Sequence, residues 1–391
     1  MTLDLRSHFS EFRAAQPARI HLAAHSHHFW PDAACEAHRR ALADAARLAD
    51  NKWELIFGTL IPRVQHGIAA ILALPDPATV AFAPNTHDFV RRLLSALPAG
   101  AAPRILTSDS EFHSFTRQIA RLEEDGLVAV ERVPAEPFAS FPERFASAAR
   151  RGGHDLVFVS QVFFNSAATS GPLEDIAGAV ADADALVVFD GYHGFMALPT
   201  RFAAAAGRAF YLAGGYKYAM AGENVCFMHC PPGFAMRPRD TGWFAAFGAL
   251  SGSGGGVGYG SDGSRFMGAT FDPTGLYRLG AVLDWMDIVG LTVEAIHEHV
   301  LAVQDCFRAE IARARVRPLC EARLVTPVGS GTARGHFLTF ELANAQALHD
   351  RLARANIVTD VRGERIRFGF GCYHTMDETE AAVAAIARAI D

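Results

Sequence analysis

The chain has 391 residues, half of them apolar, and a formal net charge of −6. That length suits one large domain with an appendage, or two domains, and the charge lacks the basic excess of a nucleic-acid binder. No run of 18 apolar residues offers a membrane span, the opening MTLDLRSHFSEFR has no apolar signal core, and six scattered cysteines fit a reduced, cytoplasmic protein.

In chain order, RIHLAAHSHHFWPD (Arg19 to Asp32) predicts a short strand and a turn stopped by Pro31. His25, His27 and His28 stand on this irregular segment without an acidic ligand at helical spacing, so they read as a polar loop and not as a metal site. Alanine-rich helices follow at about 32–49 and 52–73. From TVAFAP (Thr79 to Pro84) onward strands and helices alternate, which predicts parallel strands with helical crossovers. NTHDFVRRLLSAL (Asn85 to Leu97) is an amphipathic helix with a capping start, a place where free N–H groups and the helix dipole favour an anion. Asn and Thr also cap helices that bind nothing.

The strand beginning RILTS ends on SEFHSF, with Glu111, Phe112 and His113 at its exit. Phe112 could cover a flat ligand or fill the core. Residues 127–133 predict a strand, 141–151 a helix, and 155–162 a buried strand ending near Ser160, with a helix at 173–182. ALVVFDGYHG (Ala185 to Gly194) places Asp190 at the end of an apolar strand, where open α/β sheets bind ligands. One more strand, RAFYLAGG, leads to Lys217.

Of 36 basic residues only two, Lys52 and Lys217, are lysine. A lysine kept in so arginine-rich a chain is a candidate for amine chemistry, because an amine can lose its proton and form a Schiff base whereas guanidinium stays charged. The aromatic, glycine-rich surroundings of Lys217 favour that; Lys52, in the polar helix start NKWE, reads as an ordinary surface cation. VCFMHC (225–230) is a further strand whose thiols read as buried rather than zinc-binding.

Residues 231–275 are rich in Gly and Pro and read as a mobile or interface loop. Its formal G-x-G-x-x-G, Gly258 to Gly263, follows a glycine-serine run and no strand, so the dinucleotide context is missing. Helices at 274–288 and from Val293 precede an α+β unit: strand GHFLTFEL, helix 344–354, strands near 357–361 and 365–369, and helix 377–390. A boundary near 290 divides a large domain, 1–289, from a small one, 290–391. In RGERIRFGFG alternation puts Arg365 and Arg367 on one face, where an arginine can clamp a carboxylate.

An Asp at one strand end, a lysine one strand later, a phosphate-type helix start, an aromatic at 112 and a late arginine together fit pyridoxal 5′-phosphate. On FDGYHGF, GGYKY, PNTHDFVRRLL, SEFHSF and IRFGFGCYHTMDE, over nearly its whole length, the chain resembles the class V aminotransferase superfamily of fold-type-I pyridoxal-phosphate enzymes, nearest to kynureninase. The resemblance implies an α/β large domain on a mostly parallel seven-stranded sheet, a small α+β C-terminal domain, an amino-acid substrate, and a homodimer with shared sites. It implies that Lys217 is the catalytic amine and that Asp190 holds the ring nitrogen protonated. Phe112 would stack on the ring, and Thr86, His87 and Tyr216 would hold the phosphate. Ser160 and His193 would sit at the cofactor, and Trp243 and Thr270 would reach the neighbouring subunit's phosphate region. Arg367 would grip the substrate carboxylate, with His25 and Ser26 lining the substrate side.

GWFAAF and RFMGATFDP depart from the kynureninase pattern, so kynurenine is not implied as the substrate. Hydrolytic cleavage and transamination both stay open. A cysteine desulfurase would need a mobile cysteine near the late arginine; Cys372, just after a strand, is the only candidate, which argues against that reaction. The alternative of another class is a non-catalytic or nucleotide-binding α/β protein using Gly258–Gly263.

Overall fold

The computed structural model describes residues 3–100, 102–234, 236–249, 256–329 and 331–390. The chain enters through α1 (Ser10–Ala14) and β1 (Ile20–His21), then α2 (Asp32–Leu48), α3 (Lys52–Leu55) and α4 (Ile61–Leu72). The stretch Asp32–Leu72 is long and apolar enough to cross a membrane by length and composition alone. Its apolar side is spent on the core instead: Val64, Ile68 and Leu72 are fully buried. Each such burial contributes roughly 1.5–3 kcal/mol.

The central sheet contains β2 (Val80–Ala83), β3 (Arg104–Ser108), β4 (Ala129–Val133), β5 (Leu156–Ser160), β6 (Leu186–Asp190), β7 (Phe210–Gly214) and β8 (Cys226–His229), in the order β2-β8-β7-β6-β5-β3-β4. Pairings among β7, β6, β5, β3 and β4 are parallel. Strand β8 runs antiparallel to both of its neighbours. The connection between β7 and β8 explains this: Gly215 to Val225 forms only turns and has no crossover helix, which a parallel return would need. β5, β6 and β7 are buried almost end to end, as strands covered on both faces must be.

Helices α5 (Thr86–Ala96), α6 (His113–Glu124), α7 (Phe141–Arg150) and α8 (Leu173–Ala179) connect these strands. The sequence reading assigned no helix to α6. Only Phe115 and Ile119 are buried on it, too thin an apolar stripe to announce its period. Helix α9 (Thr274–Val289) ends on left-handed Gly290 and leads to α10 (Val293–Arg313). Beyond it β9 (Arg323–Leu324), β10 (Phe337–Glu341), β12 (Asp360–Arg362) and β13 (Arg365–Gly369) form an antiparallel sheet, with α11 (Ala345–Arg354) and α12 (Met376–Ile390) nearby in the chain. The short β11 (Ile357–Val358) pairs instead with β1, in parallel, and Ala23 bridges to Gly369. The first thirty residues are thereby stitched to the last, and the loop that follows β1 is carried to the C-terminal ends of the large sheet's strands.

Gly258–Gly263 does not form a dinucleotide loop. Gly263 opens a four-residue helical turn capped by Asp262, and a Cβ there would stand 2.4 Å from the Thr79 carbonyl oxygen. This glycine serves close packing against β2, and residues 251–255 of the same loop lie outside the described residues.

Candidate active site

Parallel strands deliver their C-terminal residues to one edge of a sheet, and the turns beyond them enclose a cavity of about 720 Å³. Thr86, His87, Phe112, Ser160, Asp190, His193, Tyr216 and Lys217 all line it. These eight residues lie far apart in the sequence and are brought together by β2, β3, β5, β6 and β7.

Lys217 follows β7 by one turn and is 4% exposed. Its Nζ lies 3.0 Å from His193 Nε2, 5.0 Å from the Phe112 ring centroid and 4.8 Å from that of Tyr192. Burial draws the amine down to about 7, a fall opposed by the Asp190 charge. Burial likewise holds His193 well below its ordinary range, helped by Lys217, so its ring is kept neutral. Asp190 is raised by burial, against the opposing pull of the Tyr192 N–H and of Lys217. The Tyr192 N–H donates to Asp190 Oδ1 at 2.9 Å.

The helix start has the features of an anion site. Asn85 caps α5 by accepting the Asp88 N–H at 2.9 Å, and Thr86 and His87 in the first turn face the cavity. His87 Nδ1 is buried without a hydrogen-bond partner. A buried amine, a carboxylate, an aromatic wall and an unpartnered polar atom beside a helix N-terminus are the donor set that an aldehyde-bearing, phosphorylated pyridine requires; the residues fit pyridoxal phosphate.

Arg367, His25 and Ser26 do not line the cavity. Arg367 donates to Asp360 Oδ2 at 2.6 Å and to the Phe164 carbonyl, and its guanidinium carbon lies 5.8 Å from the ring centroid of Phe164, which is itself a cavity residue. Its Nε is buried and unpartnered. His25 is fully buried, stacks on Phe337 at 4.8 Å and has no partner on either ring nitrogen, with Asp360 Oδ2 3.8 Å away. Ser26 is half-buried at the next position, its Oγ 3.4 Å from His27 Nδ1. A Cβ on Gly369 would stand 2.0 Å from His25 Nδ1. Gly369→Ala is therefore expected to cost about 1–3 kcal/mol, read as a lower urea midpoint, and adding His25→Ala should recover only part of it, because the His25 backbone nitrogen also stands 2.8 Å from that Cβ. An unchanged midpoint would mean that His25 swings aside freely.

Trp243 and Thr270 also lie off this cavity. The Trp243 indole N–H donates to Thr270 Oγ1 at 3.2 Å, and the ring is 44% exposed. Lys52, as its polar setting suggests, only lies over Trp53 at 5.8 Å. Among the described residues no cluster of three or more His, Cys, Asp or Glu could hold a metal ion, and Cys226 and Cys230 are free and buried.

Sequence reasoning named Glu111 and His27 without giving either a site role, and missed Asp360. Glu111 is 3% exposed and accepts from Ser108 Oγ at 2.5 Å, from Ser160 Oγ at 2.5 Å and from the Ser160 N–H at 3.0 Å. The serine-flanked carboxylate in TSDSEF was its only signal. Asp360 faces Arg367 across β12 and β13. His27 stacks on Tyr216 at 5.0 Å.

No protein-family model matches this chain, and no curated protein does. Solved structures do. The chain matches a lysine-to-alanine mutant of C-DES with glycine covalently linked to its PLP cofactor, at 18% identity over 99% of both chains, TM-score 0.81. It matches the cystine C–S lyase C-DES in complex with its reaction product cysteine persulfide at 17% identity, over 94% of this chain and 97% of that one, TM-score 0.78. It also matches the apo cysteine desulfurase of Thermococcus onnurineus NA1 at 14% identity, over 100% of this chain and 99% of that one, TM-score 0.79. The fold is thus the fold-type-I architecture of pyridoxal-phosphate enzymes, on the mostly parallel seven-stranded sheet expected from sequence.

Proposed function

We propose that this chain is a pyridoxal-phosphate-dependent enzyme acting on an amino acid, with Lys217 as its catalytic amine. The observation that carries this reading is the burial of Lys217, in one cavity with Asp190, His193, Phe112 and the α5 N-terminus. When bound, the cofactor supplies a carbonyl for the amine and a ring that withdraws electrons from the substrate's α-carbon. Thr86, His87 and Tyr216 hold its phosphate, Phe112 covers its ring, and Asp190 keeps a proton on the ring nitrogen.

The protein's own groups do the rest. An amine drawn down to about 7 is substantially neutral near neutrality, ready to attack or to take a proton. Neutral His193, 3.0 Å away, fixes the amine's position. Arg367, behind Phe164, is assigned to the substrate carboxylate, which it would take in exchange for a present partner, Asp360 or the Phe164 carbonyl; His25 and Ser26 are assigned to the substrate side. Trp243 and Thr270, exposed on one chain, serve the site of a second copy in a homodimer. The division into domains near 290 and a cytoplasmic setting belong to the same reading; all six cysteines are free.

For the bond broken, the matched C–S lyase and desulfurase structures support cleavage of a carbon–sulfur bond. They favour it over the kynureninase-like hydrolysis or transamination suggested by the motifs alone. Cys372 is 1% exposed against Met220 Sδ at 3.7 Å, and its thiol is pushed up to about 12 by burial. It is unsuited to carry sulfur, so the reading is elimination without a protein persulfide. Cys372→Ser is accordingly expected to keep turnover within about twofold of the parent; a loss of 100-fold would restore a desulfurase mechanism.

The decisive experiment is chemical. Purified protein given pyridoxal phosphate should turn yellow, and borohydride should fix the label on Lys217. Cystine, cysteine, kynurenine, and an amino acid with a keto acid are then assayed separately for persulfide or sulfide, anthranilate and new keto acid. Failure to take up the cofactor, with tight binding of a nicotinamide nucleotide instead, would overturn the reading.

A further inference from the structure

The chemistry proposed above makes no use of Glu111, although this buried carboxylate controls a residue of the cavity wall. Ser160 lines the cavity and stands in register with Asp190 at the ends of β5 and β6. A hydroxyl has one proton to give, and that of Ser160 goes to Glu111 Oε2 at 2.5 Å. The backbone N–H of Ser160 donates to the same oxygen at 3.0 Å, while Ser108 holds Oε1 at 2.5 Å. With its proton committed inward, Ser160 can offer the cavity only lone pairs. Were Glu111 protonated on Oε2, that oxygen would have to donate to Ser160, and the Ser160 proton would be released toward the cavity.

We infer that Glu111 is a positioning residue for the cofactor site: it fixes Ser160 as a hydrogen-bond acceptor toward the cavity and, through its charge, favours the proton-rich form of the bound cofactor. The proposal rests on the pyridoxal-phosphate reading. The groups facing Glu111 are Ser108 from the β3 exit, whose Oγ accepts the Ser110 N–H, Thr116 of α6, which donates to the Glu111 backbone carbonyl at 3.0 Å, Ser160 from β5 and Asp190 from β6. Lys217 and His193 share the cavity that Ser160 lines. Burial, aided by Asp190 and opposed by the serine hydrogen bonds, lifts the Glu111 carboxyl to about 7, so its state changes near neutral pH.

The test reads the visible absorption of the bound cofactor against pH, together with thermal unfolding of the cofactor-free protein. A separate sample of wild type is reduced with borohydride to label Lys217; absence of label sinks the cofactor reading, an outcome distinct from any movement of the colour midpoint. In the unreduced cofactor-loaded protein, Glu111→Gln removes a negative charge, which lowers the pKa of a nearby cationic group. The midpoint of the colour change is expected to fall by about half a unit to one unit. Ser160→Ala should lower it too, and the double variant should fall short of the sum, because the two residues act through one hydrogen bond. If Glu111 only ties β3 to β5, both variants lose thermal stability while the midpoint moves by less than about 0.2 unit; that result overturns the inference. Should Glu111→Gln fail to fold, Ser160→Ala decides alone, since Glu111 keeps its bond to Ser108: a lowered midpoint supports the assignment and an unmoved one refutes it.

Discussion

Lys217→Ala is expected to abolish turnover, by about 10⁴-fold or more, in a protein that still folds. The size follows from two roles lost together, attack on the cofactor carbonyl and carriage of the substrate proton. Arginine at 217 should fare no better, because guanidinium cannot give up its proton at working pH. The folded state should survive, for a physical reason. An amine whose pKa is drawn down on folding binds fewer protons in the folded than in the unfolded chain. Its burial therefore costs stability below the ordinary lysine pKa, most fully below about 7, and the cost fades as pH rises between the two values. Removing the amine lifts that cost, so the cofactor-free variant should unfold no earlier than the parent at pH 6–7. Two measurements check this: single-turnover product formation, and thermal unfolding without cofactor. Retained turnover would move the catalytic amine elsewhere. Lys52, beside Trp53, would then be the only other lysine able to supply it.

The site was legible where chemistry and position coincided within a few residues. Asp190 closes an apolar strand, and Lys217 is one of two lysines, so both stood out before any coordinates. Thr86 and His87 were legible because a helix start announces itself through its cap. Glu111 was not, because its meaning lies in Ser160, 49 positions away, and only the adjacency of β3 and β5 joins them. Arg367 was visible as an arginine on a strand, but its partner Asp360 depends on hairpin register, and a one-residue slip would have turned it to the other face. The direction of β8 was equally hidden: VCFMHC has the same apolar character as the parallel strands of the sheet, and only the turn-like connection from β7 reverses it. The helices at 32–49, 141–151 and 377–390 were read to within a few residues, since each carries its own period. Strand order, by contrast, is decided by packing between faces that look alike in sequence.

Asp190→Asn is expected to lower turnover by about 10²–10³-fold while leaving the cofactor able to bind, the usual cost of removing one preorganised electrostatic group. Two effects act in opposite senses and can be separated. Asparagine cannot hold a positive charge on a ring nitrogen, so electron withdrawal weakens and the chemical step slows. The Asp190 charge also opposes the fall in the Lys217 pKa that burial causes. Without it the amine becomes more acidic still and is neutral at lower pH. Cofactor uptake by the cofactor-free protein, which needs the neutral amine, should rise with pH through a midpoint near 7 in the parent, and the Asn variant should show that midpoint displaced to lower pH. Uptake thus becomes easier in mildly acidic buffer just as catalysis becomes poorer. A variant that was merely misfolded would lose both. Asp190→Glu supplies the control: it keeps the charge, so its uptake midpoint should stay near the parent's, while its longer side chain, starting beside the bond from the Tyr192 N–H, disturbs the alignment that turnover requires. Unchanged turnover in the Asn variant would place the source of ring protonation in another group and would detach β6 from the chemistry.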